Sequence, residues 1–213
     1  MYIPEHFDEP RIDILHELIR ARPLSTLITL ASDGLAANHI PLHLSEHPSP
    51  LGTLRGHVAR SNTVWSDFAE DVEVLAVFCG PDAYITPSWY PTKAEKGQVV
   101  PTWNYAVAHA YGTLRVIDDA AWVLAHLGAL TAHNEAPMPE PWRLSDAPRD
   151  FIEKLIAAVV GIEIVITRLL GKWKVSQNQL PRNRAGVIQG LRASGSSESL
   201  QMAALVEGAK HAR

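Results

Sequence analysis

Leu24-Ser25-Thr26-Leu27-Ile28-Thr29-Leu30, then Ser32-Asp33-Gly34, then Leu35 to Leu44, is the stretch that decides the fold class. Its first run is rich in Leu, Ile and Thr, which suit a pleated, half-buried surface, and the Ser-Asp-Gly triplet supplies the turn of a hairpin. Further extended segments are expected at Gly52–Val58, Val72–Phe78 and His109–Ile117, with Gly and Pro between them. One helix precedes the hairpin: Asp8 and Glu9 lead into Ile12, Leu15, Leu18 and Ile19 at helical spacing, and Arg22-Pro23 ends it. Hairpins first and long helices late argue against alternating parallel units. The expected architecture is mainly β with flanking α, an antiparallel sheet closed into a small barrel.

Asp118–Ala132 carries Trp122, Val123, Leu127 and Leu130 at helical spacing, and Asp146-Ala147-Pro148 opens a second helix through Phe151, Leu155 and Ala158. Both are expected outside the barrel. Gly161 ends that helix, and Ile162–Leu170 alternates, with Ile162, Ile164 and Ile166 on one face, as a closing strand. Beyond Pro181, helices are expected over Arg182–Arg192 and Glu198–Lys210, joined by Ala193-Ser194-Gly195-Ser196-Ser197 as a flexible hinge. This reading divides the chain into a barrel domain over 1–180 and a helical C-terminal arm over 181–213.

A chain of 213 residues can bury roughly 70% of its unfolded surface, enough for one core without staples. With 46% hydrophobic and 20% charged residues it has an ordinary globular composition, which excludes disorder, collagen-like repeats and disulfide scaffolds. No apolar stretch approaches the ~20 residues of a membrane span, and Met1–Phe7 has neither a basic start nor an apolar run, so the expected location is the cytoplasm. The single Cys79, inside the apolar run Val72–Gly80, reads as a buried small hydrophobe. A net charge of −4 and a pI near 6.2 remove the chain as a whole as an electrostatic partner for nucleic acid. Any DNA contact falls to one local basic stretch, Arg168 to Arg192, which gathers Arg168, Lys172, Lys174, Arg182, Arg184 and Arg192; the alternative for it is a solvated face.

Polar and aromatic residues cluster in Asn38-His39-Ile40-Pro41, Gly56-His57-Val58-Ala59-Arg60-Ser61-Asn62, Tyr84 to Lys93, and Val100-Pro101-Thr102-Trp103-Asn104-Tyr105. Arg60, Ser61 and Asn62 place a cation, a hydroxyl and an amide at a strand exit, a set that suits a phosphate. Gly56 and Ala59 are small enough for a ligand ring to approach the backbone. Tyr84, Trp89, Tyr90, Trp103 and Tyr105 offer rings that can stack on a flat conjugated cofactor or pack with one another.

Five blocks together carry a resemblance: Met1-Tyr2-Ile3-Pro4 with Phe7, Gly56 to Asn62, Tyr84 to Pro91, Val100 to Tyr105, and Lys174-Val175-Ser176-Gln177-Asn178. In content and order the chain resembles the PaiB family of FMN-binding negative transcriptional regulators, whose fold is similar to the dimeric split barrels of pyridoxamine phosphate oxidases. The resemblance implies an FMN-binding split barrel, a homodimer, and a flavin near Gly56–Asn62. The candidate cofactor contacts are Asn38, His39, His57, Val58, Arg60, Ser61, Asn62, Trp89, Lys93, Trp103 and Asn104. Thr63 stands where the family often has proline, and Gln179 where a basic residue is common.

His39 and His43 share a strand face and, with His57, imitate a three-histidine metal site, but no HExxH or CxxC spacing accompanies them, and no metal is expected. No Gly-x-Ser-x-Gly elbow, glycine-rich phosphate loop or dinucleotide fingerprint occurs, which sets aside hydrolase and triphosphatase readings. Two functions stay open: a dimeric FMN-binding regulator that contacts DNA, and a flavin-dependent oxidoreductase or flavin reductase of the pyridoxamine-phosphate-oxidase-like superfamily.

Overall fold

The hairpin read at Leu24–Leu44 forms, but it stops at Pro41. The computed structural model describes residues 1–209, so the expected helix end at Lys210 lies outside the described residues. The elements run α1 (Ile12–Ala21), β1 (Leu24–Ala31), β2 (Gly34–Pro41), β3 (His43–Ser45), β4 (Thr53–Ala59), β5 (Val74–Ile85), α2 (Thr92–Lys96), β6 (Thr102–Ile117), α3 (Ala120–Glu135), α4 (Arg149–Ala157), β7 (Val159–Lys174), α5 (Pro181–Ser194) and α6 (Ser197–Gly208). The strands form one seven-stranded antiparallel sheet in the order β2-β1-β5-β6-β7-β4-β3. Among the described residues no helix is long and apolar enough to cross a membrane.

Two compact units share these strands. One comprises Met1–Leu18, Cys79–Ala108 and the chain from Leu170 onward; the other comprises Ile19–Phe78 and His109–Leu169. In the second unit β1 pairs with β2 in a register running from Leu24↔Pro41 to Ala31↔Gly34. β2 and β3 stand at opposite ends of the strand order, yet only Leu42 separates them. Consecutive Cα atoms are about 3.8 Å apart, which holds these two edges within about 8 Å of each other. The sheet is therefore rolled on itself, as expected. The reading of Leu35–Leu44 as one strand is corrected: Pro41 has no N–H to continue a ladder, and the chain crosses there to the other edge.

Period-two burial then fills the roll. Val160, Ile162, Ile164 and Ile166 of β7 are buried, as are Leu54 and Val58 of β4, Leu27 of β1, and Val74, Ala76 and Phe78 of β5. Each large side chain of this set stabilises the fold by roughly 1.5–3 kcal/mol. Cys79 falls on the opposite side of β5 from Phe78 and is exposed, so its expected burial is overturned by the same alternation. Three strands run longer than their composition indicated. β5 continues through Gly80-Pro81, β6 begins at Thr102, and β7 spans Val159–Lys174 with Gly161 inside it.

In the first unit α5 and α6 pack together through Val187, Leu191, Met202 and Val206, all buried. Gly195, at φ +71°, ends α5, and the Ser196 side chain accepts the Ser199 N–H at 3.1 Å to begin α6. The Ala193–Ser197 segment is thus a two-residue capped turn, Gly195-Ser196, and not a loose hinge.

Candidate functional site

The first unit contains a cavity of about 500 Å3 between the start of β6, the end of β7, α2 and the start of α5. Antiparallel neighbours bring Thr102 and Asn104 beside Lys174 and Ser176. The Lys174 Nζ donates to Thr102 Oγ1 at 2.5 Å, and Asn104 Nδ2 donates to Ser176 Oγ at 2.9 Å. Lys96 of α2 and Arg182 of α5 complete the charged lining. The wall thus carries three cations, Lys96, Lys174 and Arg182, and no Asp or Glu; Gln98, Asn178, Gln179 and Asn183 add amides. Behind Arg182, both Glu95 carboxylate oxygens accept from its guanidinium at 2.7 and 2.8 Å, and Thr92 Oγ1 donates to Asn183 Oδ1 at 3.1 Å. Tyr90 closes one side, its phenol pushed up by burial.

Of the sequence candidates, Asn104 lies in this wall, whereas Trp103, next to it on the strand, points the other way. Trp103 is 54% exposed and meets Tyr84, 49% exposed, edge-on with ring centroids 5.9 Å apart. Trp89 lies against α5: a side chain at Gly190 would fall 2.3 Å from the indole, and one at Gly186 2.0 Å from the Trp89 carbonyl oxygen. Lys93 Nζ donates to Ser88 Oγ at 3.2 Å.

The remaining candidates belong to the second unit, where Arg60, Asn62, Asn38, His39 and His57 have partners of their own. Arg60 at the exit of β4 donates from Nη1 and Nη2 to Asp118 at 3.0 and 2.6 Å, and from Nε to the Ala157 carbonyl at 3.1 Å. This pair raises the Arg60 pKa and lowers that of Asp118 through the hydrogen bonds between them. The cleft beside it, about 360 Å3, is lined by Arg60 but also by Asp118, Asp119 and Glu153. Asn62 Nδ2 donates to Asn38 Oδ1 at 2.9 Å, and its Oδ1 accepts the Val64 N–H at 3.0 Å, capping a short turn. Ser61 is exposed and Val58 is a core residue. The space of a side chain at Gly56 is already filled by Leu42, 2.7 Å away, so its smallness serves packing and not ligand approach.

The three histidines go separate ways. His39 Nδ1 lies 3.2 Å from Thr26 Oγ1, His43 faces His133 at 5.5 Å between rings, and His57 Nδ1 lies 3.3 Å from His126 Nε2. Burial pushes His57 and His43 down, and His126, stacked on Trp122, is pushed down to about 4 by burial and by the nearby His57, His43 and Arg55. The basic stretch is also engaged within the fold. Arg168 pairs with Glu73 and lies over Tyr111, Lys172 donates to the Tyr2 carbonyl, Arg184 to the Val206 and Ala209 carbonyls, and Arg192 pairs with Glu207.

Lys96, Thr102, Lys174 and Arg182 are not among the cofactor contacts read from sequence, whereas Ser176 reads there as either a flavin-edge donor or a strand-end cap. The available signal was strand alternation: Asn104 with Thr102, and Lys174 with Ser176, each two apart and inside quoted blocks.

Residues 1–168 match the protein family described as "Putative FMN-binding domain". The chain belongs to that family, and its cofactor is FMN. It is 35% identical over 241 residues to an uncharacterized protein of Emericella nidulans, covering 97% of this chain and 96% of that one. It is 27% identical over 207 residues to the Protease synthase and sporulation protein PAI 2 of Bacillus subtilis, covering 97% of both; this is the PaiB-type relative. Among solved structures it is similar to the flavocytochrome Anf3 of Azotobacter vinelandii, with a TM-score of 0.58 and 11% identity over 81% of this chain and 72% of that one. The FAD and heme binding protein of Mycobacterium smegmatis is similar too, at TM-score 0.56 and 16% identity over 78% of this chain and 73% of that one. The fold is a split barrel, shared with these solved structures.

The donor set of the cavity fits FMN. A phosphomonoester needs cations and N–H or O–H donors without competing carboxylates, which Lys96, Lys174, Arg182 and Thr102 supply. A polar heterocycle needs amides and hydroxyls, which Asn104, Ser176 and Asn178 supply, and about 500 Å3 is within the range of small-molecule sites. The Arg60 cleft fits poorly, because three carboxylates face one guanidinium.

Proposed function

We propose that the protein is a PaiB-type, FMN-binding negative transcriptional regulator that works as a homodimer, with FMN held in the cavity of the first unit. The observation that carries this reading is the acid-free wall of Lys96, Lys174 and Arg182, whose Thr102, Asn104, Lys174 and Ser176 come from two of the blocks that resemble PaiB. Lys174 and Arg182 hold the phosphate, and Asn104 and Ser176 orient the ring. In this reading Arg60 keeps the β4 exit folded through Asp118, away from the phosphate. Exposed Tyr84 and Trp103, edge-on to each other, support the dimer, since large aromatic rings in water are typical of faces that meet a partner. FMN supplies one- or two-electron transfer when bound; the chain's part is to bind, orient and enclose it.

A second reading, flavin-dependent oxidoreductase, is favoured by one observation. All six basic residues of the stretch considered for DNA have partners inside the fold or line the cavity. Fluorescence-quenching titration tests the site: Lys174→Ala and Arg182→Ala are expected to weaken FMN by about tenfold each, as loss of a charge-assisted hydrogen bond does. Riboflavin, lacking the phosphate, should bind wild type correspondingly less well. Unchanged FMN affinity in both variants refutes the site. A mobility-shift series in salt decides the function, because a DNA complex weakens with a slope of about −0.9 per neutralised phosphate. No shift at low salt, together with NAD(P)H oxidation, replaces the regulator by the oxidoreductase.

A further inference from the structure

Ser176 is the one non-glycine residue with a left-handed backbone, φ +64°, among the described residues. Such a conformation is sterically disfavoured for an L-residue and persists where its surroundings over-determine it, most often at ligand sites. Here Ser176 is 3% exposed and receives the Asn104 Nδ2 hydrogen bond at 2.9 Å, while Asn104 is itself 1% exposed. Gln177 locks the turn from behind, its Oε1 accepting the Val175 N–H at 2.8 Å and its Nε2 donating to the Trp173 carbonyl at 2.5 Å. Both Asn104 and Ser176 line the cavity.

Their hydrogen-bond inventory is incomplete in a specific way. The Ser176 oxygen accepts from Asn104 Nδ2, and its hydroxyl donates to Asn104 Oδ1 only at 3.4 Å, long enough for a ligand carbonyl in the cavity to take that proton over. Asn104 Oδ1 stands 3.4 Å from the same hydroxyl, at the limit of bonding, and retains acceptor capacity. Side by side in a rigid frame, the pair presents one donor and one acceptor. That is the complement of a lactam edge, an N–H beside a C=O, such as the pyrimidine end of a flavin carries.

We propose that Asn104 and Ser176 are the specificity-determining pair of this cavity, selecting the flavin by its N3–H/C=O edge, with the left-handed turn at Ser176 holding the hydroxyl in register. The proposal rests on the reading of the cavity as the FMN site. It does not depend on whether the protein is a regulator or an oxidoreductase.

The test compares FMN with 3-methyl-FMN, whose N3 has no hydrogen to donate, by quenching titration against five proteins. Wild type is expected to bind 3-methyl-FMN about tenfold or more weakly than FMN, the loss of one to two buried hydrogen bonds. Asn104→Ala should weaken FMN by about the same factor yet change 3-methyl-FMN little, so that discrimination collapses, whereas Ser176→Ala, which loses only the bond to the carbonyl, should weaken both flavins. Ser176→Gly keeps the positive φ without its steric cost, which offsets part of the lost Asn104 bond, and should weaken both flavins as Ser176→Ala does while retaining the fold. Lys174→Ala should weaken both flavins equally. Equal binding of the two flavins to wild type, with Lys174→Ala still weakening both, overturns the pair and leaves the FMN site standing. Indifference of both flavins to Lys174→Ala overturns the site and the pair together.

Discussion

Acid should loosen the second unit through His126. Free histidine titrates near about 6.5, whereas burial against Trp122, reinforced by His57, His43 and Arg55, holds the folded His126 at about 4. Below about pH 6.5 the unfolded chain therefore binds a proton that the folded chain refuses, and stability falls as pH drops toward about 4, below which this contribution levels off. A gap of that size corresponds to about 3 kcal/mol at full extent and about 2 kcal/mol at pH 5. His57 and His43 are shifted the same way and steepen the loss. Urea unfolding at several pH values between about 7.5 and 4 measures it, followed by tryptophan fluorescence. His126→Gln keeps an amide opposite His57 and removes the titration, so its stability should depend less on pH over this interval. An acid loss of equal size in wild type and His126→Gln, or none in wild type, refutes the reasoning.

Gly190→Ala should destabilise by about 1–2 kcal/mol in urea, because overpacking against the Trp89 indole, 2.3 Å from the new carbon, outweighs the roughly 1 kcal/mol gained in helix propensity; a more stable variant contradicts that packing. Trp103→Asp should turn a dimer into a monomer by sedimentation velocity while leaving the melting of the subunit intact, since the ring is 54% exposed in the subunit; a persistent dimer places the interface elsewhere. Arg60→Ala should leave FMN affinity unchanged, as Asp118, Asp119 and Glu153 share the cleft it lines; a large loss of affinity returns the phosphate to the β4 exit.

Local patterns carried the fold well. The Leu24–Leu30 run, its Gly34 turn and the alternation of Ile162, Ile164 and Ile166 are each set by nearest neighbours, and the structure keeps all three. Where Pro41 interrupts a run of extended residues, the edge to which the chain crosses depends on the rolled sheet, which no local window contains. Cys79 departs from the burial its apolar run implies, because a strand shows alternate residues to opposite sides. The site was legible in its blocks but not in its assembly. In sequence Arg60 stands as a lone cation because its partner Asp118 lies 58 residues further on, and Lys174 as part of a basic stretch because its companion Thr102 lies 72 residues back.

The single residue between β2 and β3 makes Leu42 a seam. Its N–H donates to the Pro23 carbonyl at 2.9 Å and its side chain is buried, so the two borders of the sheet are stitched covalently and pinned from inside. A sheet stitched this way cannot unzip from β2 alone; parting the borders means tearing Leu42 from the core. Lengthening the stitch by a few glycines would let the borders separate and bare their backbone to neighbouring molecules, turning a self-closing cylinder into an adhesive ribbon.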